Sequence, residues 1–392
     1  MQATHPDIPD PALLHVLGDI LRPSYTTDQT SLVRLALLRP GFRWEALTGL
    51  ADDQGVLLPL VQALTARSLA PPIPRAQAPD SHVSVRLANV WSAHLGHRQR
   101  QIRQMQDLLA ALDRARITPL LLKGMRYLAD PVGPWGVART MGDFDILVRP
   151  ADTDAAHDAL VGAGYRRARH PETPYRAAHH LPPLDHPDHP MSVEIHVEAL
   201  TAAASKLLDT TRIWHRAVQT RDGNALLLPP VWQALHGLLH HQVQDRGHHL
   251  HKLCVKGLWE WTMLVQGLSR DDWSLLRDHM TNAGAVEILD SWCWQAHGLF
   301  ALEPPWLSAI GPAARDHADR TLRRAVRPYW RRRLVQVDDE LRVSFARESL
   351  AERYGLAPAD ISLTHVGRYL RELAQRHRGG VLRRLTGSGG SP

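Results

Sequence analysis

Two aspartates two residues apart, Asp143 and Asp145, lie in the segment Gly142-Asp-Phe-Asp-Ile146. In a β-strand, successive side chains alternate between faces, so a strand here would place both carboxylates together and Phe144 and Ile146 in the core. Two carboxylates so close together repel each other, and a cation between them offsets this repulsion. Hard carboxylate oxygens suit Mg²⁺ or Mn²⁺. The spacing therefore predicts a divalent-metal site held by Asp143 and Asp145.

A second alternating segment, residues 193–198, offers further ligands. As a strand, it would place Glu194, His196 and Glu198 on one face. We predict that Glu194 is the third metal ligand and completes the catalytic set. His196 is expected to position substrate or transfer a proton, because the ordinary histidine pKa lies near neutrality. A structural, hydrogen-bonded histidine fits the same pattern equally well.

A short apolar run at residues 117–122 is typical of a buried strand, and it ends at Lys123 and Gly124. A brief helix is expected to follow from Met125. A strand, a glycine and the start of a helix form an arrangement that can hold a triphosphate. Gly124 would let the backbone approach the phosphate oxygens, and the first backbone N–H groups of the helix would face them.

Two basic side chains, Lys123 and Arg139, lie close to these segments in the sequence. We expect Lys123 to contact phosphate oxygens as a point charge and Arg139 to grip them through paired N–H groups. The alternative is structural: either side chain pairs with Asp143 or Asp145 and touches no ligand. Lysine is rare here, because arginine provides nearly all of the 46 Lys and Arg residues. A lysine beside Gly124 is therefore a more specific signal than an arginine would be.

In this order, the features resemble the nucleotidyltransferase superfamily that includes DNA polymerase β, and within it a bacterial group of uncharacterised nucleotidyltransferases. The shared motifs are Leu-Lys-Gly124, Arg139, Gly-Asp-Phe-Asp145 and Glu-Ile-His196. The resemblance covers residues 110–265. It implies catalytic and metal-binding roles for Asp143, Asp145 and Glu194, with Mg²⁺ or Mn²⁺ as cofactor, and nucleotide contacts from Lys123, Gly124, Arg139 and His196.

The same group tends to carry a histidine on the helix after the sheet and an acid on the Trp-rich helix that follows. His240 or His241, and Glu260, stand in those places. Met125 stands where the wider superfamily usually has serine. A dedicated zinc site among the histidines of 236–251 is disfavoured, because no glutamate completes a His-Glu-x-x-His motif.

The hydrophobic pattern predicts an α+β protein in which a small mixed β-sheet is flanked by helical regions. Helices are expected over residues 1–115, the nucleotidyltransferase core over 116–200, helices again over 201–380, and a disordered Gly/Ser tail over 381–392. Within the core, we expect strands near 117–122, 143–149, 165–169 and 192–198 and a helix over 151–163.

The composition narrows the class of protein. The sequence contains no run of eighteen apolar residues, so no membrane span is expected. No secretion signal is evident at the N-terminus, so a cytoplasmic location is expected. Cys254 and Cys293 lack the spacing of a disulfide scaffold or zinc ribbon. The net charge of +6 suits an anionic partner such as a nucleotide. The basic run 320–333 would suit RNA, although a solvated helix face is the favoured interpretation.

We therefore expect an enzyme that moves a nucleoside monophosphate from an NTP co-substrate to an unidentified hydroxyl or phosphate acceptor. One alternative is an enzyme that tailors a peptide, sugar or small natural product by phosphoryl or nucleotidyl transfer. Another is a non-catalytic nucleotide- or RNA-binding protein, which Met125 favours and the two aspartates disfavour. A third is an RNA-modifying toxin. A nucleic-acid partner is less favoured than a nucleotide and a separate acceptor.

Overall fold

The computed structural model describes residues 11–24, 26–69, 81–130, 134–168, 179–326 and 345–371. The chain forms two compact units, Met1–Tyr329 and Trp330–Pro392. The predicted disordered tail lies outside the described residues. The predicted division into four regions stays a prediction.

Among the described residues, five helices precede the sheet: α1 Pro11–Leu21, α2 Thr27–Leu37, α3 Trp44–Asp53, α4 Leu57–Ala66 and α5 Ser81–Arg114. Their apolar stripes pack together, with Leu17, Leu47 and Leu60 fully buried. Burial of such a side chain stabilises the fold by about 1.5–3 kcal/mol. Helix α2 begins with a capping box, in which Thr26 and Gln29 each accept a hydrogen bond from the other's backbone N–H.

In the part of the chain that is described, the sheet has seven strands: β1 Leu120–Leu121, β2 Asp143–Leu147, β3 Arg166–Arg167, β4 Leu184–Asp185, β5 Ser192–His196, β6 Val218–Gln219 and β7 Leu226–Leu227. Their spatial order is β3-β4-β5-β2-β1-β7-β6. Strand β2 runs parallel to β5 and antiparallel to β1, and β1 runs parallel to β7. The sheet is therefore mixed, and the predicted α+β class is confirmed.

The register of β2 against β5 positions the acidic side chains. Asp145 lies opposite Glu194 across the two strands. Phe144 and Ile146 point to the other face, where both are fully buried in the core that the sheet shares with α5 and with α7, Thr153–Gly162. Side chains of β2 therefore alternate between the two faces of the sheet, as predicted for a strand at these residues.

Buried polar side chains of α5 fasten the segments around the sheet. Arg98 donates hydrogen bonds to the carbonyl oxygens of Tyr127 at 3.0 Å and Gly136 at 3.3 Å. Further along the helix, the Gln104 side chain donates to the Met191 carbonyl at 2.7 Å and accepts from its N–H at 2.9 Å. Helix α5 therefore fixes both the chain that leads to β2 and the start of β5.

The remaining helices of the first unit are α6 Arg126–Ala129, α8 Ala202–Ser205, α9 Thr210–Arg216, α10 Pro230–Leu239, α11 Val255–Val265, α12 Arg270–Asn282, α13 Val286–Phe300 and α14 Pro312–Ala325. A π-helical turn, His240–Gln244, extends α10. Tryptophans of these helices, among them Trp261, Trp273 and Trp292, are buried in the helical core as packing residues.

In the second unit, α15 Arg347–Tyr354 and residues 363–371 are helical, and Leu350, Ile361 and Tyr369 are buried together. The basic run 320–333 begins in α14, and its part beyond residue 326 lies outside the described residues. In the part of the chain that the structure describes, no helix is both long enough and apolar enough to cross a membrane.

Candidate active site

Asp145 lies at the centre of the site, with only 1% of its surface exposed. Its Oδ1 accepts hydrogen bonds from Lys123 Nζ and from His196 Nε2, each at 2.8 Å. Burial opposes ionisation, but the His196 hydrogen bond and the Lys123 charge hold the pKa of Asp145 well below its ordinary value. The carboxylate is therefore a buried anion that Lys123 and His196 both stabilise.

Glu194 and His196 complete a compact group with Asp145. His196 Nε2 lies 3.6 Å from Glu194 Oε2. Although burial opposes protonation, hydrogen bonds to Asp145 and Glu194 raise the pKa of His196. Burial also opposes ionisation of Glu194, yet His196 and His180 lower the pKa of Glu194. Ligand atoms of Asp145, Glu194 and His196 all lie within 4.8 Å of one another, so this group could hold a metal ion.

Asp143 is half-buried on the same strand face, but it is not part of that close group. Burial and the neighbouring charge of Asp145 raise the pKa of Asp143. Lys123 and His196 both bond to Asp145 rather than to Asp143. A divalent cation between the two aspartates would relieve their repulsion. Metal ligation by Asp143, Asp145 and Glu194 stays a prediction.

Lys123 reaches Asp145 from a strained turn after β1. Its φ of 45° lies in the left-handed region, which non-glycine residues rarely adopt. The Leu122 N–H donates to the Asp145 carbonyl at 3.0 Å and anchors this turn. Although burial favours the neutral amine, the charge of Asp145 raises the pKa of Lys123. The structural alternative, an ion pair with Asp145, therefore occurs, and phosphate contact stays a prediction.

Arg139 pairs with neither aspartate. Its Nε lies 3.1 Å from Glu260 Oε2, and its Cζ lies 5.3 Å from the centroid of the Tyr127 ring. A Cβ added to Gly124 would collide with the Arg139 guanidinium and lie 3.0 Å from the Met141 Cβ. The absence of a side chain at Gly124 thus makes room for Arg139. The predicted approach of phosphate to Gly124 stays a prediction.

A cavity of about 130 Å³ adjoins Lys123 and Arg139. Its other lining residues come from α6, from α10 with its π-helical turn, and from α11: Tyr127, Gln233, His236, Gly237, His240, His241, Lys256, Gly257, Glu260, Trp261 and Leu264. Two of the four lysines in the chain, Lys123 and Lys256, line this cavity. The cavity is therefore lined both by the predicted phosphate-binding residues and by His240, His241 and Glu260, the residues that stand at the histidine and acid positions of the family resemblance.

The π-helical turn forms a second group that could hold a metal ion. The Nδ1 atoms of His240 and His241 lie 3.3 Å and 3.6 Å from Asp245 Oδ2. Burial opposes protonation, but hydrogen bonds to Asp245 and Cys254 raise the pKa of His241 to about 10. The His241 ring occupies the space that a Cβ at Gly257 would fill. π-Helical turns are frequent at functional sites.

Three cavity residues, Tyr127, Gln233 and Lys256, were not predicted from the sequence. Gln233 and Tyr127 carry no sequence signal that separates them from ordinary helix residues. For Lys256, the scarcity of lysine was a usable signal, as it was for Lys123. Tertiary structure brings these residues together from α6, α10 and α11.

The chain matches a known protein family. The family described as an uncharacterised nucleotidyltransferase matches residues 40–301, which include helices α3 to α13 and all seven strands described above. Searches of curated proteins and of solved structures found no match. Because the matched span covers well over half of the chain, this protein belongs to that nucleotidyltransferase family.

Proposed function

We propose that the protein is a Mg²⁺- or Mn²⁺-dependent nucleotidyltransferase that moves a nucleoside monophosphate from an NTP to a hydroxyl or phosphate acceptor. The observation that carries this proposal is the register of β2 against β5, which brings buried Asp145 opposite Glu194 and leaves Asp143 on the same face. We also propose that the family shares its core with the superfamily that includes DNA polymerase β, and that the protein acts in the cytoplasm.

The donor set fits a hard divalent cation. Asp143, Asp145 and Glu194 offer carboxylate oxygens on one sheet face, and carboxylate oxygen is the preferred ligand of Mg²⁺ and Mn²⁺. Two of the three are anionic because of their histidine and lysine partners. When bound, the metal would neutralise charge on the phosphates and the leaving pyrophosphate.

The protein's own residues have separate tasks in this proposal. His196 is fully buried and fixes the Asp145 carboxylate by its hydrogen bond. Lys123 bridges the acidic face and the cavity, so it can neutralise a phosphate that lies between them. Glu260 and the Tyr127 ring hold Arg139 at the cavity, where its charge would attract the triphosphate.

Label transfer tests the reaction class. The protein is incubated with Mg²⁺, α- or γ-³²P-labelled NTPs and a deproteinised extract of small molecules and peptides as the acceptor pool. Nucleotidyl transfer predicts that the α label becomes attached to an acceptor, whereas the γ label leaves as pyrophosphate. The double variant Asp143→Asn/Asp145→Asn should lose this transfer. Exposed Asp154 gives the matched control, and Asp154→Asn should retain it.

Other outcomes identify the alternatives. Incorporation of the γ label would show phosphoryl transfer, which suits a tailoring enzyme of a peptide, sugar or small natural product. Nucleotide binding with neither label transferred would favour a non-catalytic nucleotide-binding protein. Transfer of the α label to RNA, when total RNA replaces the extract as the acceptor pool, would favour an RNA-modifying toxin.

A further inference from the structure

Two buried oxygens that line the cavity have no hydrogen-bond donor among the described residues. Gln233, which is 5% exposed, contributes one of these oxygens, its Oε1. Glu260, which is 9% exposed, contributes the other, its Oε1, while its Oε2 pairs with Arg139. A buried acceptor without a donor destabilises a folded protein, so such groups are rare in native structures. Both side chains line the same cavity, so a ligand there could supply the missing donors.

The rest of the lining defines the chemistry of that ligand. Lys123, Arg139 and Lys256 bring three basic side chains to the cavity, which favours an anionic group nearby. Tyr127 and Trp261 provide aromatic surface. Unpaired amide and carboxylate oxygens call for O–H or N–H donors. A group that carries hydroxyls next to a phosphate meets these requirements together.

The size of the cavity limits how much of a ligand enters it. Its volume of about 130 Å³ is close to that of the roughly 150 Å³ cavity known to hold a benzene ring. One five- or six-membered ring therefore fits, whereas a purine together with its sugar does not. A ribose ring combines this size with two hydroxyl donors and an attached phosphate.

We propose that this cavity is the ribose subsite of the NTP co-substrate, in which the Oε1 atoms of Gln233 and Glu260 accept hydrogen bonds from the sugar hydroxyls. This proposal rests on the proposed nucleotidyltransferase function. Acidic side chains accept from ribose hydroxyls in other nucleotide sites. Gln233 is the better residue to test, because Glu260 also holds Arg139.

The test measures discrimination between ribose and deoxyribose. ATP, GTP, CTP and UTP, and their 2′-deoxy and 3′-deoxy forms, are titrated calorimetrically into the protein with Mg²⁺. For the NTP that binds most tightly, the wild type should prefer the ribonucleotide by at least about 10-fold over one deoxy form. Gln233→Leu should bring this ratio close to one, and Gln233→Glu, which retains an acceptor oxygen, should preserve a preference.

Thermal melting provides a second readout. Gln233→Leu removes a buried, unpaired oxygen, so the free protein should melt at the same or a higher temperature than the wild type. Exposed Gln266 at the end of α11 is the matched control, and Gln266→Leu should retain the ribose preference. A loss of discrimination in a variant that is at least as stable cannot come from misfolding.

The outcomes separate the two proposals. Nucleotide binding with no ribose preference in the wild type, or with the same preference in Gln233→Leu, would overturn the ribose subsite and leave the transferase proposal intact. If none of the nucleotides binds to the wild type with Mg²⁺, both proposals are overturned.

Discussion

Two regions of the site differ in how the hydrogen-bonding capacity of their polar groups is satisfied. The first is the acidic face, which consists of Asp143, Asp145 and Glu194. The second is the helical wall of the cavity, which consists of Gln233, His236, Lys256 and Glu260. On the acidic face, Asp145 accepts hydrogen bonds at 2.8 Å from both Lys123 and His196. On the helical wall, two buried oxygens have no donor among the described residues. The Asp145 carboxylate is therefore fixed by the protein itself, whereas the helical wall retains hydrogen-bonding capacity that a ligand can use.

The largest effect is expected on the acidic face, from Asp145→Asn. This change leaves Lys123 and His196 without their shared anion, and removal of one partner of a buried ion pair costs several kcal/mol. We expect a loss of about 3 kcal/mol in the free energy of unfolding. Asp143→Asn should change it by less than about 1 kcal/mol, because burial and Asp145 already disfavour that charge.

Denaturant titration of the two variants at neutral pH gives this comparison. Asp154→Asn, which changes an exposed aspartate, controls for the substitution itself. Equal destabilisation by Asp143→Asn and Asp145→Asn would contradict the separate roles assigned to the two carboxylates.

A smaller effect is expected where the two regions meet. In Gly124→Ala, the added methyl group would displace Arg139 and disturb its pair with Glu260. Overpacking of this kind costs about 1–3 kcal/mol, and Mg²⁺-nucleotide affinity should fall with it. A Cβ at Gly142 meets nothing within 4 Å, so Gly142→Ala is the matched control. Melting curves and nucleotide titrations that do not distinguish the two variants would show that Arg139 is not held as described.

The smallest effect concerns His236 of the helical wall. Burial lowers the pKa of His236 to about 3, and its Nε2 lies 3.2 Å from the Ala199 carbonyl oxygen. Below the ordinary pKa of about 6.5, the unfolded chain gains a proton that the folded chain does not. Stability should therefore fall as pH decreases from 6.5, with a contribution from His236 that approaches about 1.4 kcal/mol per pH unit.

Denaturation of the wild type and His236→Gln between pH 5 and pH 7.5 measures this contribution. The variant should lack the His236 part of the acid dependence, whereas His15→Gln, a change at an exposed histidine, should retain it. Identical pH profiles for all three proteins would contradict the neutral, buried state of His236.

The acidic face was predictable from sequence because it depends on local geometry. Alternation along a strand placed Asp143 with Asp145 and Glu194 with His196 before any tertiary contact was known. The structure confirms the α+β class and the strands at these positions. Each of the other five described strands contains only two residues, too few to show a period, and the β6–β7 pair was not predicted.

The helical wall was only partly predictable, because tertiary packing creates it. Gln233 and Glu260 lie on helices whose other residues are mostly core, and no periodicity distinguishes a cavity residue from a packed one. The pairing of Arg139 with Glu260 was not expected from either segment alone. The π-helical turn likewise has no simple sequence pattern, so Asp245 was not identified as a partner of His240 and His241.

The most direct test of the central claim is calorimetric titration of ATP, GTP, CTP and UTP in the presence and absence of Mg²⁺, with the wild type and Asp143→Asn/Asp145→Asn. We expect at least one nucleotide to bind to the wild type only with Mg²⁺, and chelation or the double substitution to weaken that binding by more than about 100-fold. Binding that is absent, or that is indifferent to both the metal and the two aspartates, would contradict a metal-nucleotide site on the acidic face.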